Sequence, residues 1–332
     1  MVLQHTKEVW LDDRWYGKPG VLLLLYPFEI IFRIIILIRR LLFQNNIVHS
    51  VQSSVPVIVV GNISVGGVGK TPFVIALVEY LQAQGYTPGV VSRGYGGKRN
   101  KPLQSVEINS SPAEVGDEPL LIVQRTGCCC VVGENRPSAV QKLLAESDSD
   151  VVISDDGLQH YALQRDIEIA VIDGLRQVGN GHCLPVGPLR EPAERLKTID
   201  FVVCNGQRET DAMTIVPASW VNLFSGEATN QLPTENNGEN HAICGIGNPQ
   251  RFYSILDSQE LTFHPHYFSD HYNFKAEDLK FSDGDRVLMT EKDAVKCRSF
   301  ATENMWYLSV DAVVSKTLLT QISVRLSGLL DR

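Results

Sequence analysis

Short β-branched runs that alternate with helical patterns predict a doubly wound, mainly parallel α/β sheet. Two further observations refine that class. A glycine-rich loop follows the first apolar run at once, and a polar stretch between Gly226 and Glu239 precedes a second, smaller set of strands and helices. An apolar segment comes before both sets, between Val21 and Phe43.

The first strand is Val55-Pro56-Val57-Ile58-Val59-Val60, with Pro56 near its start, where a missing ladder donor is tolerated. Ser64, Val65, Gly66, Gly67, Val68, Gly69, Lys70 and Thr71 come next, in the layout of a nucleotide phosphate cradle. Glycines let successive N–H groups turn inward to phosphate oxygens, Lys70 supplies a point charge and Thr71 a hydroxyl for Mg²⁺. The following helix adds its positive end, and Pro72 fits its first turn. Ser64 stands where such loops carry a first glycine. A glycine-rich turn without a ligand is the plain alternative; the order strand, loop, helix favours binding of ATP or GTP.

Further strands are expected at Gly89-Val90-Val91, Cys128 to Val132, Val151-Val152-Ile153, Ile167 to Ile172 and Phe201-Val202-Val203, with helices over Glu118 to Arg125 and Pro137 to Glu146. Beyond the polar stretch, Ala242 to Gly245, Arg286 to Met289 and Met305 to Val310 read as strands, and Asn248-Pro249 as a helix start. This division predicts an N-terminal apolar segment over 1–50, a P-loop nucleotide-binding domain over 51–225, and a linker with a smaller C-terminal α/β domain over 226–332.

With 332 residues and 44% hydrophobic content the chain is a folded globular protein, and its net charge of −8 argues against a nucleic-acid partner. Residues 1–50 nevertheless hold six Lys or Arg against four acids, a balance compatible with an anionic membrane surface. Glu29, Arg33 and Arg40 share one narrow stripe of a helix, with Arg39 outside it. That pattern predicts a helix lying in the bilayer interface; a spanning helix and a buried core or oligomer helix are the alternatives. The seven cysteines, including Cys128-Cys129-Cys130, show no zinc-type spacing and read as buried small hydrophobes in a reducing cytosol.

Several polar clusters carry candidate chemistry. Asp155 and Asp156 end a buried strand, where a parallel sheet keeps its ligands and where phosphate-loop enzymes place acids that hold Mg²⁺. An Asp-Asp-Gly turn is the bland reading. Gln159 and His160 extend this cluster. Asp117 and Glu118 begin a helix, either as cap and first-turn charge or with Asp117 orienting or deprotonating an attacking hydroxyl. Loops at Ser92 to Gly97, Gly133 to Arg136 and Leu184 to Pro192 each offer an arginine to phosphate. In the second domain Phe268 to Tyr272 and Thr290 to Ala294 are polar islands, and His264, His266 and His271 match no familiar metal-ligand spacing.

Six of these motifs in order, from Gly61-Asn62 with the Gly-Gly-Val-Gly-Lys-Thr-Pro loop, through Ser92 to Gly97, Gly116 to Pro119, Asp155 to His160 and Leu184 to Pro192, to Thr290 to Asp293, resemble the tetraacyldisaccharide 4'-kinase family of Gram-negative bacteria. The resemblance covers nearly the whole chain. It implies transfer of the ATP γ-phosphate to the 4'-hydroxyl of a tetraacyldisaccharide 1-phosphate, giving lipid IVA, at the cytoplasmic face of the inner membrane. It further implies Lys70 and Thr71 on phosphate and Mg²⁺, Asp155 and Asp156 in the Mg²⁺ shell, Asp117 as base supported by His271, and Arg190 and Glu191 near the nucleotide. The two domains would then close to unite Asp117 with His271. A membrane-positioning ATPase is the rival, but that group carries Lys where this chain has Val65. A membrane-bound scaffold that binds nucleotide without turnover is the rival from another class.

Overall fold

The computed structural model describes residues 10–97, 101–206, 212–233 and 238–330. The first nine residues of the N-terminal segment and residues 234–237 of the polar stretch lie outside that set.

Among the described residues the strands join one 13-stranded sheet in the order β11-β10-β12-β13-β8-β7-β6-β1-β5-β2-β4-β3, with β3 (Leu103–Ser105) at one edge and β9 (Ala228–Thr229) paired to β8. Its first half is built on β1 (Val57–Gly61), β2 (Pro88–Ser92), β4 (Cys130–Gly133), β5 (Val151–Asp155), β6 (Ile167–Asp173) and β7 (Phe201–Asn205). These six are mutually parallel, as the near-continuous apolar runs require for strands covered on both faces. Pro56 falls just before β1, and its carbonyl accepts from Val152 N, so the missing donor costs no ladder bond. The long helix of the N-terminal segment, α1 (Tyr26–Gln44), precedes β1; α2 (Lys70–Ala83), α3 (Asp117–Thr126) and α4 (Arg136–Glu146) follow in chain order.

The second half contains β10 (Asn240–Cys244), α5 (Pro249–Ser258), β11 (His264–Tyr267), β12 (Arg286–Thr290), α6 (Glu291–Cys297), β13 (Met305–Val314) and α7 (Lys316–Leu330). Its strands are also parallel to one another. The halves meet through β8 (Ala212–Asn222), antiparallel to β13 with a register shift between Leu308 and Val310. Sequence patterning did not reveal β8: Pro217 sits at that irregularity, and the strand's half-exposed residues break the alternation. Two apolar clusters fill the faces of the first half, centred on residues such as Phe73 and Leu158, and two more fill those of the second, around Trp220 and Phe274. Packing of α7 onto the first of these clusters through Leu318, Ile322 and Leu326 carries the C-terminus back to the nucleotide-loop half.

The cysteine reading needs one correction. The strand begins at Cys130, not Cys128, and Cys129 is exposed, since it lies in the turn between α3 and β4 where no sheet covers it. All seven cysteines are free thiols.

Helix α1 is inside out relative to a soluble amphipathic helix. Glu29 is completely buried, accepting from Cys183 N at 3.0 Å and contacting His182 Nδ1 at 2.8 Å and Arg33 at 3.6 Å. Arg40 reaches Thr198 Oγ1 at 3.3 Å. The polar stripe therefore faces the protein, while Phe28, Ile31, Ile35, Leu37 and Ile38 are more than half exposed. From Gly20 to Gln44 the helical run is long and apolar enough to cross a membrane.

Candidate active site

Strand β1 delivers the loop that ends at Lys70. Two glycines adopt left-handed backbone, Gly66 at φ 102° and Gly69 at φ 94°, and a Cβ on Gly69 would lie 2.5 Å from Asn205 Nδ2. Asn205 in turn donates to the Val68 carbonyl at 2.8 Å. Glycine is needed at 69 on both counts, conformation and space. Ser64, at the position of the expected first glycine, is buried and forms a backbone bridge to Leu189. Tyr16 donates to the Val65 carbonyl at 3.2 Å, tying the N-terminal segment to the loop.

Lys70 stands 3.2 Å from Asn62 Oδ1 and 3.3 Å from Asp156 Oδ1. Arg190 approaches the other oxygen of Asp156 at 3.2 Å. Burial alone would raise the Asp156 carboxyl, but Lys70 and then Arg190 outweigh it and hold it at about 2. Asp155 shows the opposite balance. Its side chain is buried, one oxygen accepts from Ser92 Oγ at 3.1 Å, and Oδ1 has no hydrogen-bond partner. Burial first, then the nearby Glu118 and Asp156 carboxylates, push it up to about 7. An orphaned carboxylate oxygen next to the Asp156 carboxylate, with Lys70 close by, is oxygen chemistry that suits Mg²⁺. Among the described residues no three acidic, His or Cys side chains converge as a metal-ligand group.

Across the cleft, Asp117 begins α3 and is nearly buried. His271 Nδ1 lies 3.0 and 3.1 Å from its two oxygens, although 154 residues separate them. The structure already joins the pair, which sequence reasoning expected only after domain closure. His271 holds left-handed backbone at φ 57°, and its ring meets Tyr95 edge-on at 5.0 Å. For Asp117 burial favours the neutral acid, but Lys292, the bond from His271 and Lys296 together hold the carboxyl at about 2. Burial disfavours the His271 imidazolium, yet Asp117 raises its pKa above the ordinary value. Glu118 accepts from Lys292 Nζ at 2.9 Å.

A cleft of about 460 Å³ unites these groups: its lining includes Lys70, Asp156, Arg190, Glu118, His271 and Lys292. Its apolar wall comes from both halves, with Ile75, Ile215, Ile246 and Phe252 among the residues. Asp117 itself lines an adjoining recess of about 200 Å³ with Tyr95 and Lys296.

Five of the residues anticipated by sequence line neither the cleft nor the recess: Ser64 and Asp155, both buried, and Gln159, His160 and Glu191. Glu191 is buried, bonded by Gln159 Nε2 at 2.7 Å and Tyr161 OH at 2.7 Å, with Arg195 at 3.4 Å. Gln159 also donates to the Asn62 carbonyl at 3.1 Å, so this pair braces the loop from behind. His160 is partly buried, and burial followed by Arg136 lowers its pKa to about 4. The Gly133 to Arg136 loop offers no guanidinium to a ligand: Arg136 is buried and donates to the carbonyls of Gly133 and Asp155. Sequence alone gives no role to Tyr95 and Lys292, whose partners His271, Glu118 and Asp117 lie far along the chain, nor to Asn62, which meets Lys70 eight residues away.

A phosphate loop facing an acid and imidazole pair, in a cleft between two halves of one sheet, defines the class of nucleotide-dependent phosphotransferases. Comparison with known proteins specifies more. The family model for tetraacyldisaccharide-1-P 4'-kinase matches residues 21–327. Tetraacyldisaccharide 4'-kinase of Methylobacillus flagellatus is 46% identical over 327 residues, covering 97% of each chain. That of Nitrosococcus oceani is 46% identical over 309 residues, 93% of this chain and 91% of the relative. The structure of LpxK from Aquifex aeolicus in complex with ATP superposes with a TM-score of 0.76 at 28% identity, over 92% of this chain and 99% of that one. The chain belongs to the tetraacyldisaccharide 4'-kinase family. These likenesses favour the kinase over the membrane-positioning ATPase.

Proposed function

We propose that the chain binds Mg-ATP in this cleft and transfers the γ-phosphate to the 4'-hydroxyl of a tetraacyldisaccharide 1-phosphate, forming lipid IVA. The observation that carries the reading is the Asp117–His271 pair at 3.0 Å, contributed by opposite halves of the sheet, with His271 lining the same cleft as the phosphate loop. The acceptor oxygen attacks the γ-phosphorus, the bond to the β-phosphate oxygen breaks, and ADP departs. One proton leaves the hydroxyl and goes to the pair. With His271 neutral and Asp117 ionised, the pair carries one negative charge and accepts that proton without becoming a net cation. Lys70, freed from Asp156, and the loop N–H groups hold the β- and γ-phosphates, and Arg190 adds a second cation on the donor side. Thr71, Asp155 and Asp156 would hold Mg²⁺, which supplies charge neutralisation on the phosphates. The nucleotide-binding domain over 51–225 and the smaller domain over 226–332 act as the two jaws of this site.

The acceptor's acyl chains require a lipid surface. The outward apolar face of α1 supports a peripheral or monotopic seat on the cytoplasmic face of the inner membrane, because burying Glu29 against His182 and Cys183 keeps the helix on the protein body. The test is phosphate transfer from ATP to purified tetraacyldisaccharide 1-phosphate in detergent. Both Asp117→Ala and Lys70→Ala are expected to lose turnover by roughly 10²–10⁴-fold. Undiminished transfer by the Asp117 variant would overturn its role as base.

A further inference from the structure

The Thr290-Glu291-Lys292-Asp293 run has three members with structural duties. Thr290 Oγ1 accepts from Asp293 N at 3.1 Å and donates to its carboxylate at 2.8 Å, which starts α6. Asp293 also accepts from Gly245 N at 3.0 Å, and Glu291 takes Arg125 Nη1 at 3.0 Å. These bonds orient the first turn of α6 and leave Lys292 pointing across the cleft to α3. A cation in the first turn opposes the helix dipole, so the position needs compensation from outside its own helix. That compensation is triple: Nζ lies 2.9 Å from Glu118, 3.6 Å from Asp270 and 4.0 Å from Asp117. The His271 Nε2 atom is 3.5 Å away.

We propose that Lys292 is a positioning residue for phosphoryl transfer: it clamps the Asp117–His271 pair between the two halves of the sheet and neutralises the carboxylates that face the incoming triphosphate. The inference deepens the kinase reading and rests on it. Without Lys292, Asp117, Glu118 and Asp270 would confront a polyanion with one fewer of the cations that the described residues place beside them, His271 and Lys296 being the others in contact. Lysine suits the role better than a planar fork because one compact charge serves three acids arranged around it. The groups facing the pair are Glu118 from α3, Lys292 and Lys296 from α6, and Asp270 from the turn that carries His271. Lys292 lowers the His271 pKa while Asp117 raises it, so removing the lysine moves the ring's titration upward.

The experiment uses the full chain in detergent, with ATP and tetraacyldisaccharide 1-phosphate, and follows the His271 ring by NMR in parallel without substrate. Lys292→Met is expected to lower kcat by roughly 30- to 1000-fold, in the range found for lost electrostatic groups. The acid limb of kcat/KM and the His271 titration should both move to higher pH. Glu118→Gln added to Lys292→Met should recover part of kcat, since it removes one uncompensated charge, and Lys292→Arg should recover more. Wild-type kcat with an unmoved His271 titration in Lys292→Met would overturn the proposal, as would an Arg variant as inactive as Met. Absence of lipid phosphorylation by the wild-type chain would instead sink the kinase reading, and the ring titration alone would still judge whether Lys292 sets the pair.

Discussion

Replacing Glu29 by Ala tests whether α1 is held through its polar stripe. The carboxylate is buried and has two close partners, Cys183 N at 3.0 Å and His182 Nδ1 at 2.8 Å. A hydrogen bond to an ionised group contributes about 1.5–3 kcal/mol, and the orphaned Cys183 N–H adds to the loss. The third partner, Arg33, is 42% exposed at 3.6 Å, so that ion pair adds at most about 1 kcal/mol. Taken at the low end for the two bonds, these give at least roughly 3 kcal/mol for docking of the helix, on the order of a hundredfold or more in the ratio of docked to undocked states. Other contacts, Phe32 on the core and Phe43 against Tyr161 at 5.9 Å, remain, so the opening is local. Hydrogen exchange of amides between residues 20 and 28, with limited proteolysis between 45 and 50, measures it in detergent. Exchange should accelerate about a hundredfold in Glu29→Ala and much less in Glu29→Gln, which keeps an acceptor oxygen. Unchanged protection in the Ala variant would show that the stripe does not anchor the helix.

The pH dependence has a definite sign. Because Asp117 raises His271 above its ordinary 6.5, the imidazolium persists to higher pH and the pair, then without net charge, accepts a proton far less readily below that midpoint; kcat/KM should therefore rise with pH along a limb centred above 6.5. Asp117→Asn should bring the ring titration down, since burial and Lys292 then act unopposed by that carboxylate, and a wild-type limb at or below 6.5 would contradict the assignment. On the membrane side, Ile34→Lys with Ile38→Lys places two charges on the exposed face of α1 and should shift the protein from the membrane pellet to the supernatant, leaving its fold unaltered. Unchanged sedimentation with vesicles would refute an interfacial role for that face.

Much of the site was legible wherever its chemistry is local. Ser64 to Thr71 declared a phosphate loop because backbone turn, lysine and hydroxyl must follow one another within a few residues, and Asp155 and Asp156 declared themselves by ending an apolar strand. Spacing along α1 likewise put Glu29, Arg33 and Arg40 on one stripe. What that stripe faces was not legible: only the fold brings His182 and Cys183 beneath it and turns the apolar side outward. Glu191 looked like a site residue beside Arg190, yet the two neighbours in this bend face different partners, and the carboxylate is taken by Gln159 and Tyr161 while Arg190 reaches Asp156.

The amino-acid sequence by itself determined the class of fold, the phosphate loop, the acids at the end of β5 and the presence of an unusually apolar helix, because each depends on residues close along the chain. Tertiary structure alone decided that β8 and β13 fuse both halves into one sheet, that Asp117 meets His271, and that Lys292 reaches three acids from the far side of the cleft. Those contacts join groups up to 175 residues apart, from Asp117 to Lys292, and such distances are closed only by the packing of strands and helices, for which no local pattern carries a signal.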